Sequence, residues 1–357
     1  MSTERRADDE AVAMTVLGPV ASADLGIVLA HEHLVIDLPH MVESEDATSR
    51  TRQEARLTLE NLGWVRQYWT WSFDNLVLDD TALAAAELGR FAAAGGGAIV
   101  DVTLPGIGRD PQALVEISQV TGVHVIMGTG AYVAGTHPDW VGSSSTEELA
   151  DRFVAEAIDG VAGVRAGIIG EIGCSWPLED DEARVLAAAA QAQRRTGLAI
   201  SVHPGRDRAS PAGIIDILRD NDADLERVII GHIERTVPDH DGLLSVVSMG
   251  CTVAFDIFGL ETSYYPVPGT SGVVMASDAQ RLDLIDGLIS GGHADRIVVS
   301  HDVCTKHRLV RYGGHGYDHL VSNVMPWMRE RGVDEADLER LFVANPARML
   351  TVAPPRH

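Results

Sequence analysis

Eight short apolar runs recur along the chain, at 26–34, 98–103, 123–128, 167–172, 198–203, 227–232, 251–258 and 296–302. Between them lie Ala-, Leu-, Glu- and Arg-rich stretches of helical character, such as 81–94, 146–160, 181–196, 211–221 and 279–289. Several of these begin after Ser, Asp or Pro, the residues that open helices. Strands that alternate with helices run parallel, because each return crosses over through a helix. Eight such units in 357 residues fit an α/β fold of the closed (β/α)8 TIM barrel type better than an open doubly wound sheet. The expectation is a single domain, with residues 1–12 disordered and the barrel spanning about 14–350. The stretch 14–20, ahead of the first strand, reads as a short β hairpin that plugs the barrel's bottom.

Two insertions depart from the alternation. One, at 39–80, carries Trp64, Trp69 and Trp71; the other, at 261–278, carries Tyr264 and Tyr265. Such aromatics wall a substrate pocket, cover the subunit interface of a homodimer, or pack the loops onto the barrel.

Composition narrows the range of partners. With 45% hydrophobic and 22% charged residues the chain can bury a sizeable core. Its 28 Lys+Arg against 52 Asp+Glu leave a formal charge of −24, which repels phosphate backbones and anionic lipid headgroups. Neither nucleic acid nor membrane is expected as a partner; a small-molecule substrate is. No apolar run approaches the roughly 20 residues that span a bilayer. Arg5-Arg6 precede an acidic stretch and an apolar run broken by Gly18-Pro19, so this segment reads as strand and turn, not as an export signal. Cys174, Cys251 and Cys304 are odd in number and widely spaced, as expected of reduced thiols in a cytoplasmic protein.

The strand ends carry the chemistry. His31 and His33 close the first run as His-Glu-His, and positions i and i+2 of a strand face the same side. One such pair is a weak signal. Glu171, His203, His232 and Asp302 end or nearly end four further runs, and in a barrel those ends converge on one mouth. Four imidazoles and two carboxylates there suit zinc, manganese, cobalt or iron. Six ligands with one bridging carboxylate describe a binuclear centre: His31, His33 and Asp302 on one ion, His203 and His232 on the other, Glu171 shared. His301, adjacent to Asp302, leaves its strand on the opposite face. Asp256 either hydrogen-bonds a ligand or orders a loop. Tyr132, Trp176, Tyr264 and the cations Arg235, Lys306 and Arg308 are the candidate substrate contacts.

At this point the sequence resembles the phosphotriesterase family of the amidohydrolase superfamily, from Thr15-Val-Leu-Gly-Pro-Val and His31-Glu-His-Leu through Asn345-Pro346. In the phosphotriesterases proper a carboxylated lysine bridges the metals. Lys306 is the chain's single lysine and follows the eighth strand, so Glu171 takes that place. In this it is similar to the phosphotriesterase-related or resiniferatoxin-binding branch, through Gly170-Glu-Ile-Gly-Cys-Ser-Trp-Pro-Leu178 and Ser300-His-Asp, Thr305-Lys-His-Arg-Leu309 and Gly313-Gly-His-Gly-Tyr317. The resemblance implies two divalent metals, zinc first, and hydrolysis by a hydroxide held between them, with Asp302 taking up the proton. Ile257 stands where the lactonases carry an arginine, and the run 233–236 lacks the phosphotriesterases' proton relay. The branch includes hydrolases of N-acyl amino-sulfonates, so an amidohydrolase acting on a small anionic amide is the first expectation. Lactonase, esterase or phosphotriesterase activity, and a ligand-binding protein without catalysis, are the alternatives.

Overall fold

The computed structural model describes residues 11–356 apart from 41, 43, 45, 263, 264, 266 and 268–272. Eight parallel strands form one sheet: β1 (Ile27–Glu32), β2 (Gly96–Asp101), β3 (His124–Thr129), β4 (Ile168–Gly173), β5 (Ile200–His203), β6 (Val228–Ile230), β7 (Thr252–Phe255) and β8 (Ile297–Val299). They pair in strict sequence order, as a barrel requires. Ser300 and Asp302, just past β8, close the seam by bonding the backbone of His31. Each of the first seven strands is followed by one principal helix: α1 (Thr81–Ala93), α2 (Pro111–Thr121), α3 (Thr146–Ile158), α4 (Asp180–Thr196), α5 (Ser210–Asp220), α6 (His240–Ser248) and α7 (Asp278–Ser290). Three short helices, α8 (Met325–Glu330), α9 (Glu335–Glu339) and α10 (Asn345–Leu350), follow β8. The chain is thus a TIM barrel.

Local chemistry sets the helix limits. The Asp80 and Asp110 side chains cap α1 and α2, Ser145 and Glu148 form a reciprocal capping box on α3, and Gly122 and Gly197 end α2 and α4 in the left-handed conformation.

The strands separate two hydrophobic layers. Leu29, Ile99, Val125, Ile169, Val202, Val253 and Val299 face the helices, while Val28, Ala30, Val100, Ile126, Ile168, Ala199, Ile229, Ala254 and Val298 fill the barrel interior. Alanine, valine and isoleucine make up this inner set, so compact side chains fill the narrow lumen. Ala13, Met349 and Leu350 join the inner cluster. A hairpin of Val12–Thr15 and Gly18–Ala21 thus closes the bottom together with α10, as expected from the stretch 14–20. Val12 was expected within a disordered leader. It is instead held in strand pairing with Ala21 and accepts a bond from Val352 N. No helix among the described residues is long and apolar enough to cross a membrane.

Candidate active site

Four breaks in strand regularity build the site. Val28 and Ala30 point into the barrel, so strict alternation would turn His31 and His33 outward. The pairing of β1 with β2 slips between Leu29 and Glu32, and this bulge swings both imidazoles inward. A second slip, between Ile169 and Ile172, does the same for Glu171. Gly170 lies there at φ +127, where a Cβ would come within 2.1 Å of the Ser201 carbonyl oxygen, so only glycine fits. At the end of β6, His232 adopts φ +48, and past β8 Asp302 adopts φ +54, sparsely populated values for residues with a side chain.

The six expected donors come together at the C-terminal mouth. Glu171 Oε2 lies 3.0 Å from His203 Nδ1, 3.5 Å from His232 Nε2 and 3.6 Å from His31 Nε2, while its Oε1 is 3.4 Å from His33 Nε2. Asp302 Oδ1 is 3.2 Å from His33 Nε2 and 3.8 Å from His31 Nε2. Among the described residues three groups of atoms are suited to a cation, His31–His33–Glu171 and Glu171–His203–His232, which share the Glu171 carboxylate, and His31–His232–Asp256. The imidazoles are held from behind. Asp256 accepts from His232 N and bonds His232 Nδ1 at 2.8 Å, its other oxygen lies 3.3 Å from His31 Nδ1, and Thr103 Oγ1 bonds His33 Nδ1. Asp256 thus orients the histidines, the first of its two expected roles.

Protonation reflects this crowding. Burial works against charge on His33 and His232, yet Asp302 and Glu171 raise the first to about 10 and Asp256 raises the second to about 10. Burial would also lift Glu171 and Asp302, but the surrounding histidines hold Glu171 well below the usual carboxylate range and Asp302 at about 2. His203 stays neutral because burial outweighs its partners. Both carboxylates are therefore anionic and demand positive charge from the cluster.

The donor set fits divalent metal ions. Among the described residues His31 Nε2 is buried without a hydrogen-bond partner, and His203 Nδ1 faces His232 Nε2 at 2.9 Å, somewhat closer than the roughly 3.3–3.4 Å at which two nitrogens sit about one tetrahedral zinc with bonds of roughly 2.0–2.1 Å. The backing bonds on the opposite ring nitrogens of His33 and His232 are those that fix metal-ligating imidazoles.

The cluster opens into a small cleft at the barrel mouth. Tyr132, Trp69, Arg206, Arg235, Tyr265 and Cys304 line it beside the donors. Tyr132 lies with its hydroxyl 3.2 Å from His203 Nδ1. The other expected substrate contacts divide. Arg235 is present, its Nη2 donating to Pro204 O. Lys306 is drawn to Asp74 at 2.8 Å, and Arg308 donates to the carbonyls of Phe258 and His301; neither lines this cavity. Trp176 is 37% exposed and packs over Gly205 and Gly213 on the flank of α5. Tyr264 lies outside the described residues. His301 leaves on the far face as expected and bonds Glu32. Arg206 escaped the sequence reading, and Tyr265 was singled out there only as one of the insertion aromatics. The position of Arg206 three residues after His203, in the loop leaving β5 at the mouth, was the available signal.

Comparison with known proteins agrees with this geometry. The model of the phosphotriesterase family matches residues 12–350. An N-acetyltaurine hydrolase of Dictyostelium discoideum is 39% identical over 361 residues, covering 95% of this chain and 97% of that protein. One from Xenopus tropicalis is 40% identical over 340 residues, covering 94% and 97%. The crystal structure of a resiniferatoxin-binding protein from Rhodobacter sphaeroides superposes with a TM-score of 0.91 at 38% identity, over 97% of each chain. The chain belongs to the phosphotriesterase family and is a metal-dependent hydrolase.

Proposed function

We propose that this enzyme is an amidohydrolase that cleaves a small anionic N-acyl amide, N-acetyltaurine being the first candidate. His31, His33 and Asp302 on one side and His203 and His232 on the other, with Glu171 between them, would hold two divalent ions, zinc foremost. One observation carries the reading: a single small cavity is lined both by the imidazole and carboxylate cluster and by two arginines. The first set suits hydrolysis, the second an anionic substrate. The names of relatives that span nearly the whole chain support the same substrate class.

When bound, the metals supply the positive charge that polarises an amide carbonyl and makes a water acidic near neutral pH. The protein's residues do the rest. Asp302 is the proton acceptor: its side chain is 20% exposed toward the cavity, whereas Glu171 and the four histidines are at most 5% exposed. Held anionic, it can take a proton from the attacking water and return it to the departing amine nitrogen. Asp256 and Thr103 keep His31, His232 and His33 in register. Tyr132 narrows the cavity beside His203, and Trp69 narrows it beside Tyr265.

Purified protein reconstituted with zinc, manganese or cobalt and offered N-acetyltaurine, N-acyl amino acids, lactones and aryl phosphotriesters side by side tests this reading. Preferred turnover of the N-acyl amides, abolished by chelation and restored by metal, is the expected result. Preference for lactones or phosphotriesters would overturn it.

A further inference from the structure

We propose that Arg206, Arg235 and Tyr265 form the seat for the acidic end of the substrate, and that this seat favours a sulfonate over a carboxylate. The proposal rests on the amidohydrolase reading for the identity of the substrate, but the seat is a property of the cavity itself. Arg206 leaves the loop after β5, Arg235 the short helical turn after β6, and Tyr265 the long connection between β7 and α7. All three line the same cavity as Glu171 and Asp302. The guanidinium of Arg206 lies 5.2 Å from the centre of the Tyr265 ring and that of Arg235 lies 6.0 Å from it. Tyr265 is therefore close to two cations. Burial pushes its phenol up, but Arg206 and Arg235 bring it below the usual tyrosine range, a sign of the positive field at this spot.

Each arginine is anchored by one end only. Arg206 Nη2 donates to Tyr265 Oη at 3.2 Å, and Arg235 Nη2 to Pro204 O at 2.8 Å. Among the described residues the Nε–H of both is buried without a partner, and Arg235 is only 6% exposed. Unmade bonds at buried charged donors are costly unless a ligand completes them. Neighbouring acids do not complete them. Glu234, next to Arg235, pairs with Arg281 and accepts from Ile257 N, and Asp207, next to Arg206, accepts from Ala209 N. Asp302 lines the same cavity and acts on Arg206 through space, but among the described residues neither guanidinium is in an ion pair, so both remain open to an anion inside a chain whose formal charge is −24.

Geometry selects the anion. A carboxylate presents two oxygens in one plane and is best matched by the fork of a single guanidinium. A sulfonate presents three oxygens on a pyramid, so it can accept from two guanidinium groups that arrive from different segments.

Three substrates that share the N-acetyl group and the two-carbon linker test the seat: N-acetyltaurine, its carboxylate counterpart N-acetyl-β-alanine, and neutral N-propylacetamide. The wild-type enzyme is expected to rank them in that order by kcat/KM. In Arg206→Met and in Arg235→Met the ratio of sulfonate to neutral kcat/KM should fall about 10- to 100-fold, mainly through KM, as loss of a charge-assisted hydrogen bond implies. Calorimetric binding of ethanesulfonate should weaken in parallel. Arg206 is only half-buried, so its variant remains informative if the Arg235 variant fails to fold. An unchanged ratio and unchanged ethanesulfonate affinity in Arg206→Met, or a wild-type preference for the carboxylate, would overturn the proposal. If the wild type cleaves no N-acyl amide at all, the amidohydrolase reading falls, and ethanesulfonate binding to wild type and variant still decides the seat.

Discussion

Glu171 lies within 3.6 Å of all four imidazoles, so its removal strips both candidate metal positions of a shared anion. Glu171→Ala is expected to lower the metal content, by elemental analysis, from about two ions per chain to one or none, because six donors exceed the four that one zinc takes. Lys306→Ala is the control. Its ammonium bonds Asp74 away from the cluster, so metal content should not change, and an emptied site would refute the ligand assignment. The six donors were legible because each closes an apolar run, and in a barrel all such ends meet. The arginines were only half legible. Arg235 was foreseen, but Lys306 and Arg308 were placed by proximity in sequence to Asp302, whereas the chain past β8 turns their heads toward Asp74 and toward backbone carbonyls. Whether a loop cation faces a cavity depends on partners remote in sequence, and no local pattern encodes them.

The strands were visible as apolar runs and the helices as amphipathic stretches between them, yet alternation within a strand gave the wrong phase at the site. Counting in twos from Val28 and Ala30 would send Glu32 inward and His31 outward; the slip after Leu29 reverses this. Glu32 is thereby turned onto the β8 end, where it accepts from Ser300 Oγ, His301 N, His301 Nδ1 and Val303 N at 2.7–2.8 Å. It clamps the turn that carries Asp302 and seals the barrel seam. Glu32→Ala leaves four buried donors unsatisfied and should destabilise the fold by about 3 kcal/mol or more. A urea unfolding curve within about 1 kcal/mol of wild type would dismiss the clamp. A second carboxylate opens α7. Burial would raise the pKa of Asp278, but bonds from His319, Arg281 and Gly259 N take it below the usual value. A group with a depressed folded-state pKa stabilises fully above its unfolded value, near 3.9, and loses that contribution as pH falls toward the folded value. Asp278→Asn should therefore be less stable than wild type at pH 7, with the gap in melting temperature narrowing below about pH 4. A gap that stays constant from pH 7 to pH 3 would contradict the assignment.

At the scale of the whole molecule two electrostatic effects oppose each other. The formal charge of −24 repels an anionic substrate at a distance, while Arg206 and Arg235 attract it once it has entered the cavity. The two act over different ranges, so salt separates them. Diffuse surface charge is screened beyond a Debye length, which shrinks from about 30 Å at 0.01 M to about 8 Å at 0.15 M salt. Contacts buried at the cavity wall are screened much less. Raising ionic strength from about 0.01 to 0.15 M with a weakly binding salt should therefore increase kcat/KM for N-acetyltaurine, through a lower KM. The neutral N-propylacetamide should hardly respond. At higher concentrations of a sulfonate salt the trend should reverse, because added anions compete for the two arginines. Steady-state kinetics on both substrates across this range would show a maximum for the anion and a flat line for the neutral amide. A steady fall for the anion from the lowest salt upward would mean that attraction dominates at every distance, and that the acidic surface has no part in governing entry.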